Sequence, residues 1–501
     1  MNKVFKLCSC ELTKILKKKS TKIMAILLII SLFLGVGITA LTKKTFELTE
    51  SLVQNDYKTT MQGDIDENKR ILESKDESLD EASKNNVRAS IDVHQYALNN
   101  DLNLVSSVYS YWKCDALMNT IYVETINMYN YKSFGDIQNA DKLKASIDKM
   151  YELLKNDDFS GYMEYERESL KEKFEDGLIN KDTYEIKNYI IDLKEKYEIG
   201  KVDGEEAKWK TEIVNEIEYL KTSKIRGIDA ITMKPYTEES LKKADDTLKI
   251  DEYRLEHNIP PYMTGMGNSI GESRKVYDYM ASSVVVMILT VMMVIIAGTS
   301  ISSEISKGTI KFWSFTPNKR WKILLSKLLA CTIVLVATVI IISLISTVIG
   351  NIFFGADKAQ GYLYVSNGTV HEINYVVYNV IFNLVAAFDA FVFMILALML
   401  STITRNTAVS VGVSIAAYLG GPTIMQIVNL FVKADWIKFV PFNNLNLTDR
   451  LFTNDLSFSG TQVVSTVTGN IPVGFSLAVI GVCIVLMIVT MFDSFRKRDI
   501  V

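Results

Sequence analysis

Histidine and proline are scarce in this chain, and the scarcity limits its chemistry. The 501 residues hold three histidines (His94, His257 and His371), seven prolines and five cysteines. His371 and Glu372 open the H-E-x-x-H zinc pattern, but Tyr375 stands where the second histidine belongs. The run from Gly267 through Ser269 to Gly271 has the spacing of a nucleophile elbow, yet Pro260 and Pro261 break the strand that must precede one. A phosphate-cradling G-x-x-x-x-G-K-[S/T] loop is also missing, so the chain does not bind ATP by a P-loop and no catalytic site of its own is expected. Nucleic-acid binding is equally unexpected, because the basic residues flank apolar runs and form no face with aromatic platforms.

Long apolar runs are what the chain does have. They cover 23–41, 280–299, 328–354, 374–404, 406–432 and 472–491, and the only charge among them is Asp389. A helix needs roughly 20 residues, at about 1.5 Å each, to cross about 30 Å of hydrocarbon. Six spans are therefore expected, and a soluble enzyme is excluded. Charge in the short loops sets the sidedness. Residues 1–22 carry seven lysines against Glu11, residues 303–327 carry six basic residues against Glu304, and Arg405 and the pair Arg496 and Lys497 follow the fourth and sixth runs. The positive-inside rule then puts both termini in the cytoplasm and residues 43–278, with 34 basic and 48 acidic residues, outside. Cys114 is the one cysteine on that side, so no intrachain disulfide forms there.

The start of the chain reads either as a signal peptide ending near Ala40 or as a first span preceded by its own helix. The second reading fits the long apolar run. Val4, Phe5, Cys8, Leu12, Ile15 and Leu16 recur at spacings of three and four, so residues 1–22 form an amphipathic helix in the headgroup plane and 23–42 the first span. Residues 43–278 lack proline until Pro235, and apolar sets such as Leu143, Ile147, Met150, Tyr151 and Leu154, or Ile213, Ile217 and Leu220, mark helix faces. Helical hairpins are expected, with Tyr151, Tyr189, Tyr197 and Tyr219 at their seams and a helix starting at Thr237. The whole reads as an all-α integral membrane protein: six transmembrane helices, an interfacial N-terminal helix and a large helical extracellular domain between spans one and two. Residues 279–501 hold spans two to six.

The segment 303–327, SEISKGTIKFWSFTPNKRWKILLSK, is the informative loop. Glu304, Ile305, Ile310, Phe312 and Trp313 can build a short amphipathic helix that Pro317 ends. Residues physically alike would serve either as an apolar knob for a cytoplasmic partner or as a snorkelling basic loop that fixes topology. With Glu304, Gly308, Thr309, Pro317, Arg320 and Lys327 in that order, the segment resembles the loop after the second span in type-2 ATP-binding-cassette (ABC) exporter permeases. The amphipathic start, the six spans and the stretch WIKFVPFNNLNLTDRL from Trp436 to Leu451 extend the likeness over residues 1–42 and 275–501. The large domain after span one departs from the family, most of whose members have a far shorter first loop.

The resemblance implies a half-transporter. It pairs with a second copy or a sister permease in the lipid bilayer of the cell, and two copies of a cytoplasmic ABC ATPase supply ATP and Mg chemistry. No cofactor belongs to this chain. The ATPase would grip Glu304, Gly308, Thr309, Ile310, Phe312, Trp313, Pro317 and Arg320, and the cargo class would be a peptide, antibiotic or lipid-like molecule. Two other readings stay open: a sensor that moves its outer domain without passing cargo, and an ATP-independent carrier using Asp389 as a proton site. Asp389 lies mid-span, where an exposed carboxylate costs roughly 2.5–3.5 kcal/mol. It is expected to face the bundle interior or a subunit interface, with Asn383 as a helper, in either a transport or a packing role. Gly412, Gly420, Gly421 and Pro422 allow a break in the fifth span. The polar segment 433–470 reads as a re-entrant element or an ordinary outer loop.

Overall fold

The computed structural model describes residues 2–74, 79–105, 110–229, 233–261, 273–309, 319–356, 361–432, 434–452 and 471–497. The chain divides into two units, one of residues 1–43, 262–363 and 371–501, the other of residues 44–261 and 364–370. It is an all-α membrane protein. Among the described residues, six helices are long and apolar enough to cross a bilayer: Lys19–Thr45, Ala281–Ser306, Arg320–Phe354, Tyr375–Thr404, Thr407–Asn429 and Val473–Lys497.

In the first unit, α1 (Asn2–Lys17) is followed after one residue by α2 (Lys19–Glu73), which continues unbroken from span one into the inserted unit. The remaining spans are α11 (Ser273–Ser300) with the short α12 (Ser302–Ser306), α13 (Arg320–Phe354), α14 (Tyr375–Ala386) with α15 (Phe388–Thr404), α16 (Thr407–Phe431) and α18 (Val473–Lys497). Span two is the most buried and spans five and six the most exposed, so α11 and α15 form the centre of the bundle around Met292, Met293, Ala297, Met394 and Leu398. At one end of the bundle Arg274 is 1% exposed and ties three spans together. It donates to Asp278, to Asn351 Oδ1 at 2.7 Å and to the Tyr375 hydroxyl at 3.0 Å. Gly350 leaves room for its guanidinium, since a Cβ there would stand 2.6 Å from Arg274 Cζ.

Two features were not read from the sequence. Residues Tyr362–Ser366 and Thr369–Ile373 form a small hairpin, so His371 and Glu372 lie on a strand and not on a zinc-binding helix. The fourth span is also divided, because α14 ends at Ala386 and α15 restarts at Phe388.

The inserted unit is a run of helices: α3 (Glu81–Asn99), α4 (Trp112–Asp115) leading through a π turn into α5 (Tyr122–Ser133), α6 (Ile137–Asn156), α7 (Phe159–Glu175), α8 (Lys181–Lys196), α9 (Glu205–Arg226) and α10 (Glu238–His257). Short polar residues start them. Asp80, Asp136, Asp158, Asn180 and Thr237 each accept a backbone N–H of the first turn, meeting donors that a helix start leaves unpaired. α7 and α8 run antiparallel: Phe174 stacks on Tyr184 near the turn, and Arg167, two turns earlier, pairs with Asp192 and Glu195 at 2.7 and 2.9 Å. One core gathers Trp112, Leu117, Met150 and Tyr162, and a second gathers Ile190, Ile213, Ile217 and Leu255. Tyr151 packs against Tyr96 with the rings tilted, and Tyr189 and Tyr197 border the second core. Tyr219 corrects the expectation: at 45% exposure it lies outside the seam, because its phase on α9 points away from Ile213 and Ile217.

Candidate functional site

α1 buries Cys8, Glu11 and Ile15 together with part of Val4 and Leu7 and lies along α13. That phase brings a carboxylate into an otherwise apolar contact. Glu11 Oε2 accepts from Lys327 Nζ at 2.9 Å, and its Oε1 accepts from Lys14 Nζ at 2.8 Å. Lys327 Nζ also donates to Glu304 Oε1 at 2.9 Å and to the Ser300 carbonyl at 3.3 Å. Lys14 closes the ring on Glu304 at 3.3 Å. Two ammonium groups and two carboxylates thus alternate across α1, α12 and α13, with the Lys327 side chain only 3% exposed. Burial works to raise the Glu11 carboxyl, but the Lys327 and Lys14 ammonium groups outweigh it and hold it below the usual carboxylate range. Lys14 is the mirror case: burial opposes its charge, and the Glu11 and Glu304 carboxylates more than restore it. At Lys18 the same two carboxylates pull upward but do not outweigh burial. Its ammonium is lowered by burial first and by Lys327 second.

The same end of α11 is fixed to the bundle centre. Ser302 donates its N–H to Ser401 Oγ at 3.0 Å and its hydroxyl to the Gly298 carbonyl at 2.8 Å, while Ser410 of α16 donates to that carbonyl at 2.9 Å. α12 therefore leaves span two from a rigid base. It stops at Ser306, and Gly308 turns into the left-handed region with φ 68°. Thr309 Oγ1 donates back to the Glu304 carbonyl at 3.1 Å. Arg320 opens α13 and is exposed. Ile310, Phe312, Trp313 and Pro317 lie outside the described residues, as does the Gly267–Gly271 motif. Of the loop residues singled out by sequence, the structure thus brings Glu304 into a buried ion network and sets Gly308 and Thr309 at the turn that follows it. Its partners Glu11 and Lys14 were missed. The available signal was that Glu11 is the sole acid of the lysine-rich start and falls in the buried phase of its helix.

The second set of residues is not one site. Asp389 stands in the first turn of α15, where the fourth span is interrupted, and its carboxylate accepts the Asn446 N–H at 3.3 and 3.4 Å. Asn383 was expected to assist it but joins another ladder. Asn383 Nδ2 donates to Asn379 Oδ1 at 2.7 Å and its Oδ1 accepts from Ser282 at 3.0 Å, while Asn379 donates to Thr347 Oγ1 at 2.9 Å. The helix interruption at Ala387 separates the two groups and gives each its own partners. Asn446 belongs to a folded segment made of 3₁₀ turns Asp435–Phe439 and Pro441–Asn444 and α17 (Thr448–Leu451). Asn443 exchanges side-chain amide bonds with Asn429 of α16, Arg450 donates to Ser476 of α18, and Phe442 fills the space over Gly421. Residues 434–452 are therefore built into the bundle as far as the middle of span four.

Residues 251–501 match the family described as Protein of unknown function (DUF2705), half of the chain. The chain belongs to the DUF2705 family. Relatives of this DUF2705 protein include the uncharacterized protein YhcI of Bacillus subtilis (strain 168), 30% identical over 259 residues that make 51% of this chain and 76% of YhcI. The uncharacterized membrane protein YdbK of the same organism is 26% identical over 216 residues, 43% of this chain and 78% of YdbK. No solved structure matches the chain. The DUF2705 region contains Glu304, Lys327, Asp389 and Asn446; Glu11 and Lys14 precede it.

Proposed function

We propose that the chain is the permease subunit of an ATP-driven exporter of the ABC type, lying in the cell membrane with both termini in the cytoplasm and the inserted unit outside. A separate ATPase, present in two copies, docks on the loop 304–320, and a second permease copy or a sister permease completes the path for a peptide, antibiotic or lipid-like cargo. The observation that carries this reading is the ion network of Glu11, Lys14, Glu304 and Lys327. A loop that only fixed topology would need no buried anchor. A loop that receives force needs its base tied to more than one helix, and here three helices share the load. Buried ion pairs are poor stabilisers yet costly to break, which suits an element held in one arrangement and moved as a body.

The test is capture of a native ATPase with the purified chain. The wild-type protein is expected to retain it, and Trp313→Ala and Gly308→Pro to insert normally but lose stimulated hydrolysis. Full stimulation and normal transport in both variants would reject the assignment. A sensor that moves the inserted unit without passing cargo is favoured by one observation, the unbroken 55-residue α2 that runs from the first span into that unit. Accumulation of labelled cargo in inside-out vesicles separates the two readings.

A further inference from the structure

α1 has a second face that its contact with α13 does not use. At 3.6 residues per turn, Phe5, Leu12 and Leu16 form a stripe beside the buried face, and Lys6, Cys10, Lys14 and Lys17 follow on the far side of Ser9 and Thr13. Phe5 is 59% and Leu16 60% exposed, an unusual amount of apolar surface on a helix whose other side is fixed. Lys6 and Lys17 are also exposed and, among the described residues, carry no ion pair, while Lys19 and Lys22 extend the basic edge onto α2. The order around the helix is protein contact, apolar stripe, small polar residues, lysines. A soluble partner would not need it. The edge of a leaflet presents acyl chains and then headgroup charge over the same few ångströms.

We propose that this edge of α1 binds anionic phospholipid headgroups, with Phe5 and Leu16 seated among the upper acyl carbons and Lys6 and Lys17 on the phosphates. Charge complementarity decides the occupant: residues 1–22 hold seven lysines and one acid, and that acid, Glu11, is spent on Lys327 and Lys14. The grip on the leaflet reaches the Glu304 turn directly, because the buried face of the same helix carries Glu11. The inference does not depend on an ATPase and holds for a sensor as for an exporter.

Cys10 lies on the lysine edge and is exposed, whereas Cys8, Cys114 and Cys331 are buried. In a Cys483→Ala background, the full chain is placed in nanodiscs of phosphatidylcholine alone or mixed with phosphatidylglycerol, without nucleotide. Its reaction with an uncharged polyethylene glycol maleimide is then timed, with Leu178→Cys in the inserted unit as the control thiol. Modification of Cys10 is expected to slow in the anionic discs by about fivefold for each lysine engaged, and to recover in high salt. Lys6→Ser with Lys17→Ser should sharply reduce the lipid dependence, and Phe5→Ser with Leu16→Ser should speed the reaction in both discs. Equal Cys10 rates in the two lipids, or an undiminished difference in the double lysine variant, would overturn the proposal. So would protection that appears only when a protein partner is bound.

Discussion

Lys327 is the residue on which the network turns, since it alone donates to both Glu11 and Glu304 from a buried position. Lys327→Met is nearly isosteric and leaves the two carboxylates with only the half-exposed Lys14 ammonium between them, a loss approaching the roughly 3–5 kcal/mol of a broken buried pair. Glu11→Gln keeps the shape and a hydrogen-bonding group, and it should cost less. Combining the two should cost clearly less than the sum, because each change relieves part of the imbalance left by the other. Thermal melts of the detergent-solubilised chain measure all three, and strict additivity would show that the pairs do not act as a unit. A second residue-scale prediction concerns the inserted unit. Glu216 is pushed up to about 7, by burial first and then by Glu212, against the pull of Arg254. A carboxyl whose folded value exceeds its unfolded one holds its proton more tightly when folded. Stability should therefore fall as pH rises from about 4.5 through 7, on the order of 3 kcal/mol in all. Glu216→Gln should flatten that slope between pH 5 and 8, and an unchanged slope would assign it elsewhere.

At the scale of elements, the six spans were legible because uncharged runs of this length have one reading in an aqueous cell. The interruption at Ala387 was not, since no proline or glycine marks it; the carboxylate of Asp389 and the polar segment 434–452 meet there, and that is a tertiary fact. The turn at Gly308 shows the opposite case. Its spacing was visible, but only the backbone shows why glycine stands there: φ is 68°, where a side chain costs about 1–2 kcal/mol. Gly308→Val should lower stability by that amount in a thermal melt and, if an ATPase docks on the following residues as proposed, reduce the fraction co-purified. Gly421 is tight for another reason. A Cβ there would stand 2.3 Å from Phe442, so Gly421→Ala should lower the melting temperature by pushing the 434–452 segment off α16, at about 1–3 kcal/mol. Phe442→Ala destabilises by itself but should recover part of that loss in the double variant. No recovery would mean that the two residues do not meet.

The whole molecule poses the question of what one helix shared by both units is for. The inserted unit has two cores of its own, so its stability does not require that α2 be continuous. Continuity does matter for rigidity, because a helix transmits rotation and displacement along its axis only while its hydrogen bonds are unbroken. Lys44→Pro removes one such bond and places a ring against the preceding turn, worth about 3 kcal/mol locally, at the boundary between the units. If the chain exports cargo through its spans, the variant should insert, keep its partner and transport at close to the wild-type rate. If the inserted unit is the output, hydrolysis should continue while the response that the unit delivers is lost. Paired measurements on one preparation, vesicle accumulation and a distance between labels on α3 and α10, decide between them. A variant that loses both cargo movement and the change in distance would point to a rod whose stiffness serves translocation itself.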